Sequence, residues 1–193
     1  MRVEWNNEYR LGDMIYSHLV RDKYKQLYSS RYANSIVSKY MKRTTKSRDL
    51  DILESIIKEY SPRIKPRKNT LVIHLRVGDV VKRDVDFLLK QENLIYTKPL
   101  SYYKDVIKDY TKIKSITLVA GGCFLKDNLP LSKKFISKIK ELYTEMGYNV
   151  NVRIGKNADD DFVFMSRAKH FIPGGGKFSN LINQLHKKNE QDN

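Results

Sequence analysis

The stretch LVIHLRVGD, residues 71–79, decides the fold that the sequence predicts. Its first five residues form a short apolar run, which is typical of a strand buried in a parallel sheet. His74 and Arg76 stand at the end of that run, and Gly78 and Asp79 then break the pattern. We therefore expect a buried strand with two side chains that can carry a positive charge at its carboxyl end.

Downstream of this strand, short apolar runs alternate with longer amphipathic segments. The pattern predicts four strands and four helices: strands over 71–75, 115–120, 148–154 and 170–172, and helices over 100–110, 132–147, 159–168 and from 177 onward. Parallel neighbours need a crossover connection, and a helix usually supplies it. The predicted fold class is therefore α/β, a Rossmann-like parallel sheet with helices on its faces.

The first third of the chain has a helical pattern without predicted strands. Apolar residues at three-to-four spacing predict amphipathic helices over 13–28 and 47–60, with Ser47 as a cap for the second. The segment SPRIKPRKNT, residues 61–70, combines two prolines with basic residues and breaks the helical pattern. We therefore divide the chain into a short, mostly helical segment, 1–66, and a Rossmann-like domain, 67–193.

Composition limits the classes of partner. A formal net charge of +15 will attract polyanions, but the lysines are spread along the whole chain, so nucleic-acid binding is the less favoured interpretation. The single cysteine, Cys123, excludes an internal disulfide and a multi-cysteine zinc site. No apolar run resembles a signal peptide or a membrane span, so we expect no membrane span and a cytoplasmic protein. Its oligomeric state is not predicted.

The strand ends are the places where an open α/β sheet binds ligands. The first strand ends with His74, Arg76, Gly78 and Asp79, the second with Gly121 and Gly122, and the fourth with PGGGKFSN, residues 173–180. In this last loop Gly174, Gly175 and Gly176 let backbone N–H groups approach a diphosphate at the start of a helix, where Lys177 and Ser179 add a charge and a donor. The other interpretation is an ordinary glycine-rich turn between strand and helix.

The two side chains of the first strand end also have two interpretations each. The guanidinium of Arg76 suits a phosphate, but it could equally form a salt bridge with Asp79 or Asp84. His74 could contact a ligand or be a satisfied interior histidine.

Three stretches resemble motifs of the fucosyltransferase superfamily that includes the α1,2-, α1,6- and protein O-fucosyltransferases. HLRVGD, residues 74–79, looks like the HxRRGD motif; ITLVAGG, residues 116–122, is similar to the second motif; and DDDFVFMSRAKHFIPGGGKFSNLI, residues 159–182, is similar to the third. The amino-terminal NNEYRLGDMIYSHL also resembles the opening turn and helix of such enzymes. Departures are Val77 at the second arginine, and Gly121–Gly122 and Gly174–Gly176 where acidic and serine residues are usual.

The resemblance implies the donor-binding domain of a GT-B glycosyltransferase. It implies a nucleoside diphosphate sugar as substrate, with GDP-fucose favoured, transfer to a glycan hydroxyl with inversion, and no metal or other cofactor. It also implies that Arg76 binds the diphosphate, that Lys177, Phe178 and Ser179 form the phosphate turn, and that His74 lies beside the ligand.

The run Asp159–Asp161 resembles a metal-binding DxD motif, but it precedes a helix, where acidic residues complement the dipole, so we predict no metal site. By the family resemblance, Asp160 or Asp161 could hold the base of the donor. The general base that takes the acceptor proton lies in no decisive motif, and Asp13 and Asp79 are its candidates. The alternatives to an enzyme are a non-catalytic nucleotide-sugar-binding domain and a basic nucleic-acid-binding α/β module.

Overall fold

The computed structural model describes residue 15 and residues 35–60, 65–92, 94–121 and 129–191, with side chains up to residue 189. At the centre of this region lies a parallel sheet of four strands in the order β3-β2-β1-β4. The strands are β1 (Thr70–Leu75), β2 (Ser115–Ala120), β3 (Asn149–Ile154) and β4 (His170–Ile172). The predicted α/β fold with a Rossmann-like parallel sheet is confirmed.

Helices connect and flank the strands. They are α1 (Ile36–Arg43), α2 (Leu50–Tyr60), α3 (Val85–Leu88), α4 (Leu100–Val106), α5 (Leu129–Glu145), α6 (Ala158–Ser166) and α7 (Gly176–Gln191). Because α3, α4 and α5 supply the crossovers that step from β1 to β2 to β3, and α6 returns the chain to the far side of β1, the sheet is wound in both directions from β1.

Side-chain alternation along the strands separates the core into two layers. Leu71, Ile73 and Leu75 pack with α3, α4 and α5 on one face of the sheet, whereas Val72 and Val119 pack with α1, α2, α6 and α7 on the other. All six residues of β1 are buried, as expected for a central strand covered on both faces. The apolar run at 71–75 is therefore the centre of the molecule.

The helices α1 and α2 share the second core layer with the α/β part. Ile36, Tyr40, Leu53 and Ile56 are fully buried there, and Ile15 belongs to the same cluster. The rest of the helix predicted over 13–28 lies outside the described residues. The helical segment thus contributes to the core that covers one face of the sheet.

The start of α2 differs from the prediction. The side chain of Asp49, not that of Ser47, caps the helix, because its Oδ1 accepts a hydrogen bond from Ile52 N at 3.2 Å and its carbonyl accepts one from Leu53 N at 3.1 Å. The hydroxyl of Tyr40 receives a hydrogen bond from Asp49 N at 2.7 Å and donates one to the Lys46 carbonyl at 3.0 Å. The turn between α1 and α2 is therefore held by a buried tyrosine.

Candidate functional site

The carboxyl ends of β1 and β4 are neighbours in the sheet. The strands β2 and β3 lie on one side of β1 and β4 lies on the other, so the direction of winding reverses between β1 and β4. Such a topological switch point opens a crevice in which α/β proteins bind ligands. The structure brings two predicted groups together here: His74 near the end of β1 with Arg76 and Asp79 after it, and the turn of residues 173–179 after β4.

Gly174 joins these two groups by a direct backbone contact. A Cβ atom at this position would collide with the carbonyl oxygen of His74 and would lie 2.9 Å from its carbonyl carbon and 3.0 Å from Arg76 N. The N–H of Gly174 donates to Ser179 Oγ at 2.9 Å, which ties the turn to the first turn of α7. The Ser179 side chain is fully buried, so its hydroxyl shapes the turn in this structure.

The other two glycines have a conformational role. Gly175 and Gly176 have φ angles of 82° and 77°, in the left-handed region that favours glycine. They lead directly into α7, a helix of 16 residues whose first N–H groups have no partner within the helix. Lys177 is exposed at this helix start, and Phe178 is half-buried. A cationic, donor-rich helix terminus therefore opens toward the crevice, and such a terminus attracts phosphate groups.

His74 is buried near the carboxyl end of β1, beneath the turn that follows β4. Its side chain has a tilted contact with the ring of Phe178, with 5.9 Å between ring centroids. Burial, together with the charge of Arg76, lowers the pKa of His74 to about 4, so the imidazole is neutral near pH 7. No hydrogen-bond partner for its Nδ1 is found among the described residues. A buried polar atom without a partner is destabilising by about 1–3 kcal/mol, and a ligand group is one way of satisfying it.

Arg76 forms an ion pair with Asp79. Its Nη2 lies 2.9 Å from Asp79 Oδ1 and 2.8 Å from Oδ2, and its guanidinium carbon lies 5.6 Å from the ring centre of Tyr96. This is the salt bridge that the sequence left open as an alternative. The pair fixes the guanidinium at the end of β1, and the Arg76 side chain keeps 15% of its surface exposed. Asp79 therefore positions Arg76 in this structure.

The acidic run lies at the start of α6. Asn157 caps this helix by accepting from Asp159 N at 2.8 Å, so the aspartates occupy the first turn and not the cap itself. Asp161 is buried and bonds Arg153 Nε at 2.6 Å, while Asp160 is half-buried. Burial raises the pKa of Asp161 to about 6, although the ion pair with Arg153 opposes that shift. The aspartates lie in the first turn of α6, where negative charge complements the helix dipole, but the acidic cap predicted from the sequence is wrong because Asn157 is the cap.

Asp159 forms a contact that the sequence did not predict. Its Oδ2 accepts from Ile36 N at 3.0 Å, at the start of α1, and the residue is 4% exposed. Burial and the charge of Asp160 raise the pKa of Asp159 to about 6, against the lowering effect of the Ile36 hydrogen bond. This carboxylate links the helical segment to α6.

Three further predicted residues have different positions. Gly121 follows β2, the strand next to β1, and a Cβ added there would meet no atom of the described residues within 4 Å, whereas Asp13 and Gly122 lie outside those residues. Beyond its first turn, α6 packs against the start of α7 through Phe162, whose ring is edge-to-face with that of Phe178 with 5.5 Å between the ring centroids.

Sequence reasoning missed the loop between α3 and α4. A Cβ at Gly175 would lie 3.6 Å from the Tyr96 ring and 3.7 Å from the Ile95 carbonyl oxygen, so this loop forms one wall of the crevice. It also missed Ser132, whose Oγ accepts from Gly78 N at 3.0 Å and holds the turn after β1. The signal for the loop was present in the sequence, because Ile95 and Tyr96 are large apolar residues inside a polar segment.

Across the described ranges, no group of three or more histidine, cysteine, aspartate or glutamate side chains is arranged to bind a metal ion. None of the helices described above is both long and apolar enough to cross a lipid bilayer. Comparisons of the chain with protein-family models, curated proteins and solved structures find no match.

Proposed function

We propose that this chain is a fucosyltransferase-like, metal-independent glycosyltransferase that transfers a sugar from a nucleoside diphosphate to a glycan hydroxyl with inversion. GDP-fucose is the favoured donor. The observation that carries the proposal is the contact of Gly174 with the backbone of His74 and Arg76. It sets the start of α7 beside Arg76 at the switch point of the sheet, so one crevice offers helix N–H groups and a guanidinium to the same diphosphate.

The proposed reaction needs stabilisation of a leaving group. The acceptor oxygen forms a bond to the anomeric carbon, the bond from that carbon to the phosphate oxygen breaks, and the electron pair leaves with the nucleoside diphosphate. Negative charge therefore grows on the diphosphate in the transition state, where preorganised donors lower the barrier most. The N–H groups at the start of α7, Arg76 and Lys177 are the donors and charges available for this task.

The proton of the acceptor hydroxyl must pass to a base. Asp79 and Asp13 remain the predicted bases, and Asp79 has a carboxylate at the crevice that already pairs with Arg76. When the diphosphate engages the guanidinium, Asp79 is released in part from that ion pair and becomes a stronger candidate for proton transfer.

The second candidate is a non-catalytic nucleotide-sugar-binding domain. The ion pair between Arg76 and Asp79 favours it, because a guanidinium held by a carboxylate in the absence of ligand offers less to a leaving diphosphate. The two candidates differ in turnover. Release of GDP from GDP-fucose in the presence of a glycan acceptor supports the enzyme, whereas GDP binding without transfer to any acceptor supports the binding domain.

The first experiment measures the melting temperature with GDP, UDP, ADP and CMP, each with Mg²⁺ or with EDTA, followed by the matching nucleotide sugars. A ligand that binds only the folded state raises the melting temperature by mass action. We expect stabilisation by GDP and GDP-fucose in EDTA as well as in Mg²⁺. No shift with any nucleotide would contradict both candidates, and a shift that requires Mg²⁺ would contradict metal independence.

Arg76→Ala tests the role of the guanidinium. It should remove the GDP-dependent shift and lower turnover about 100-fold or more, because it removes a donor that acts on the leaving group. Arg43→Ala is the matched control, since Arg43 also pairs with a carboxylate, Glu59, through two hydrogen bonds of 2.8 Å, but lies on α1. Unchanged GDP binding and turnover in Arg76→Ala would refute the assignment of this residue.

A further inference from the structure

A surface pocket of about 490 Å³ lies beside the crevice, between the turn after β1 and the loop that precedes α4. This volume is within the range of small-molecule sites. Its lining residues are Val80, Lys82, Arg83, Phe87, Leu88, Leu94, Ile95, Tyr96 and Thr97. No step of the donor chemistry described above uses this pocket.

Exposed apolar side chains are concentrated at this pocket. Phe87, Ile95 and Tyr96 are 45%, 76% and 42% exposed, and they are three of the five large hydrophobic residues that are exposed in the described part of the chain. Apolar side chains that cluster at the surface mark a site of interaction more often than single ones do. The pocket is therefore a candidate ligand site in its own right.

Tyr96 connects the pocket with the crevice. Its ring lines the pocket, lies beside Gly175 of the turn after β4, and lies 5.6 Å from the guanidinium carbon of Arg76. A molecule in the pocket would therefore be separated from a diphosphate at the start of α7 by one aromatic ring. That arrangement suits the second substrate of a transfer reaction, which must meet the first at the reacting atom.

The charge of the pocket is positive. Lys82 and Arg83 are exposed on its lining, and across the described ranges neither forms an ion pair with a carboxylate. The nearest acids along the chain are engaged elsewhere. Asp84 caps α3 by accepting from Phe87 N at 3.0 Å and lies 3.6 Å from Lys134, Asp86 pairs with Lys134 at 2.9 Å, and Asp79 holds Arg76. Two cations thus stand beside a largely apolar surface.

We propose that this pocket is the acceptor subsite and that it binds an acidic glycan, an inference that rests on the glycosyltransferase function proposed above. The apolar faces of the sugar rings pack against Tyr96 and Phe87, and a carboxylate or phosphate on the glycan binds Lys82 and Arg83. The planar fork of an arginine matches either anion with two hydrogen bonds.

The test measures binding by isothermal titration calorimetry to the whole chain, in the presence of GDP and in its absence. The probes are trigalacturonate, 3′-sialyllactose and mannose 6-phosphate, each beside its uncharged counterpart: methyl-esterified trigalacturonate, lactose and mannose. We expect at least one acidic probe to bind about tenfold more tightly than its counterpart, as charged hydrogen bonds allow. The first two probes identify a carboxylate site, and the third identifies a phosphate site.

Variants assign that binding to the pocket. Lys82→Gln with Arg83→Gln should abolish the preference for the acidic probe, and Tyr96→Ala should weaken both members of the pair. Lys140→Gln, at an exposed position on α5 outside the pocket, controls for the loss of one positive charge. The Lys82 and Arg83 variants should keep the GDP-dependent thermal shift, which shows that they remain folded.

Three outcomes would overturn the inference. A GDP shift with no preference for any acidic probe leaves the donor site standing and removes the acidic acceptor. If the variant Lys82→Gln with Arg83→Gln still prefers the acidic probe, the anion binds outside this pocket. Binding to phosphatidylserine vesicles that Tyr96→Ala abolishes, with no binding of any sugar, makes the pocket a membrane contact.

Discussion

At Gly174 the turn after β4 rests directly on the backbone of β1. The sequence left two interpretations of these three glycines open, the approach of a ligand or an ordinary glycine-rich turn. In the structure Gly174 permits the contact with His74, whereas Gly175 and Gly176 take up left-handed conformations. The same residue type therefore meets two different physical requirements in one turn. Which glycine meets which requirement cannot be read from the letters GGG.

Gly174→Ala should destabilise the fold by about 1–3 kcal/mol, because the added methyl group meets rigid backbone that cannot rotate away. The midpoint of urea unfolding measures this change. Gly121→Ala is the matched control, since a Cβ there meets no atom of the described part of the chain within 4 Å and neither glycine has a positive φ. Equal midpoints for the two variants would show that the turn can lift off β1 without loss.

The residues at the end of β1 were predictable because a central parallel strand has a continuous apolar run, and the residues directly after such a strand lie at the ligand-binding edge. The pairing of Arg76 with Asp79 was one of two alternatives, and only tertiary geometry decides between them. The contact of Tyr96 with Arg76 joins residues of two different loops, whose approach depends on the packing of α3 and α4. Local sequence patterns carry no information on such an approach.

At the scale of elements, the alternation of strands and helices after residue 70 was predicted correctly, but the first and last residues of several helices differ from the prediction. The helix predicted over 100–110 ends at Val106, and the helix predicted from 177 begins at Gly176. The end of a helix depends on single hydrogen bonds, such as the one from Ile52 N to the Asp49 side chain. Nearby serine and threonine side chains could form a similar cap, so the first residue of the helix is hard to predict. Amphipathic periodicity is spread over many residues, so it predicts that a helix is present better than it predicts the residues at which the helix begins and ends.

The junction of α1 and α6 depends on a buried carboxylate. The pKa of Asp159 is raised from its ordinary value of 3.8 to about 6, so the folded state binds this proton more tightly than the unfolded chain does. Asp159 therefore removes stability as the pH rises from about 4 to about 6, and its contribution is constant above that window. His74, whose pKa is lowered from 6.5 to about 4, acts with the opposite sign across the same range.

Asp159→Asn isolates the carboxylate, because His74 and Asp161 are present in both proteins. The amide oxygen can still accept from Ile36 N, so we expect the variant to gain roughly 1–3 kcal/mol relative to the wild type as the pH rises from 4 to 7. Urea unfolding at each pH measures the difference, and Asp109→Asn, at an exposed position, controls for the loss of one negative charge. A difference that does not vary with pH would contradict the shift.

At the scale of the whole molecule, the helical segment and the α/β part share one core layer. Ile56 of α2 is fully buried in the cluster that also holds Val72 of β1 and Leu181 of α7. The sequence predicted helices before the sheet, but it did not show which surface they cover. An amphipathic helix can bury its apolar face against any apolar surface. The shared core implies that the described parts unfold together.

Ile56→Ala should lower stability by about 2–5 kcal/mol, because it removes a fully buried branched side chain and leaves a cavity. Far-ultraviolet circular dichroism, which reports helices, and near-ultraviolet dichroism, which reports tyrosine packing, should show one coincident transition at a lower urea concentration. Ser55→Ala, at an exposed neighbouring position on α2, is the control. Two separate transitions would mean that the helical segment and the sheet do not share a cooperative core.

The contact at Gly174 also has a consequence for how this protein can change during evolution. The turn after β4 is positioned by its contact with the main chain of β1 and by the Ser179 hydroxyl, and neither of these belongs to the loop with Ile95 and Tyr96. The pocket beside it is built from side chains on the loop with Ile95 and Tyr96 and on the turn with Lys82 and Arg83. Under the function proposed above, the residues that hold the donor and those that select the acceptor are therefore separate, so substitutions in the pocket could change the acceptor without moving the donor site.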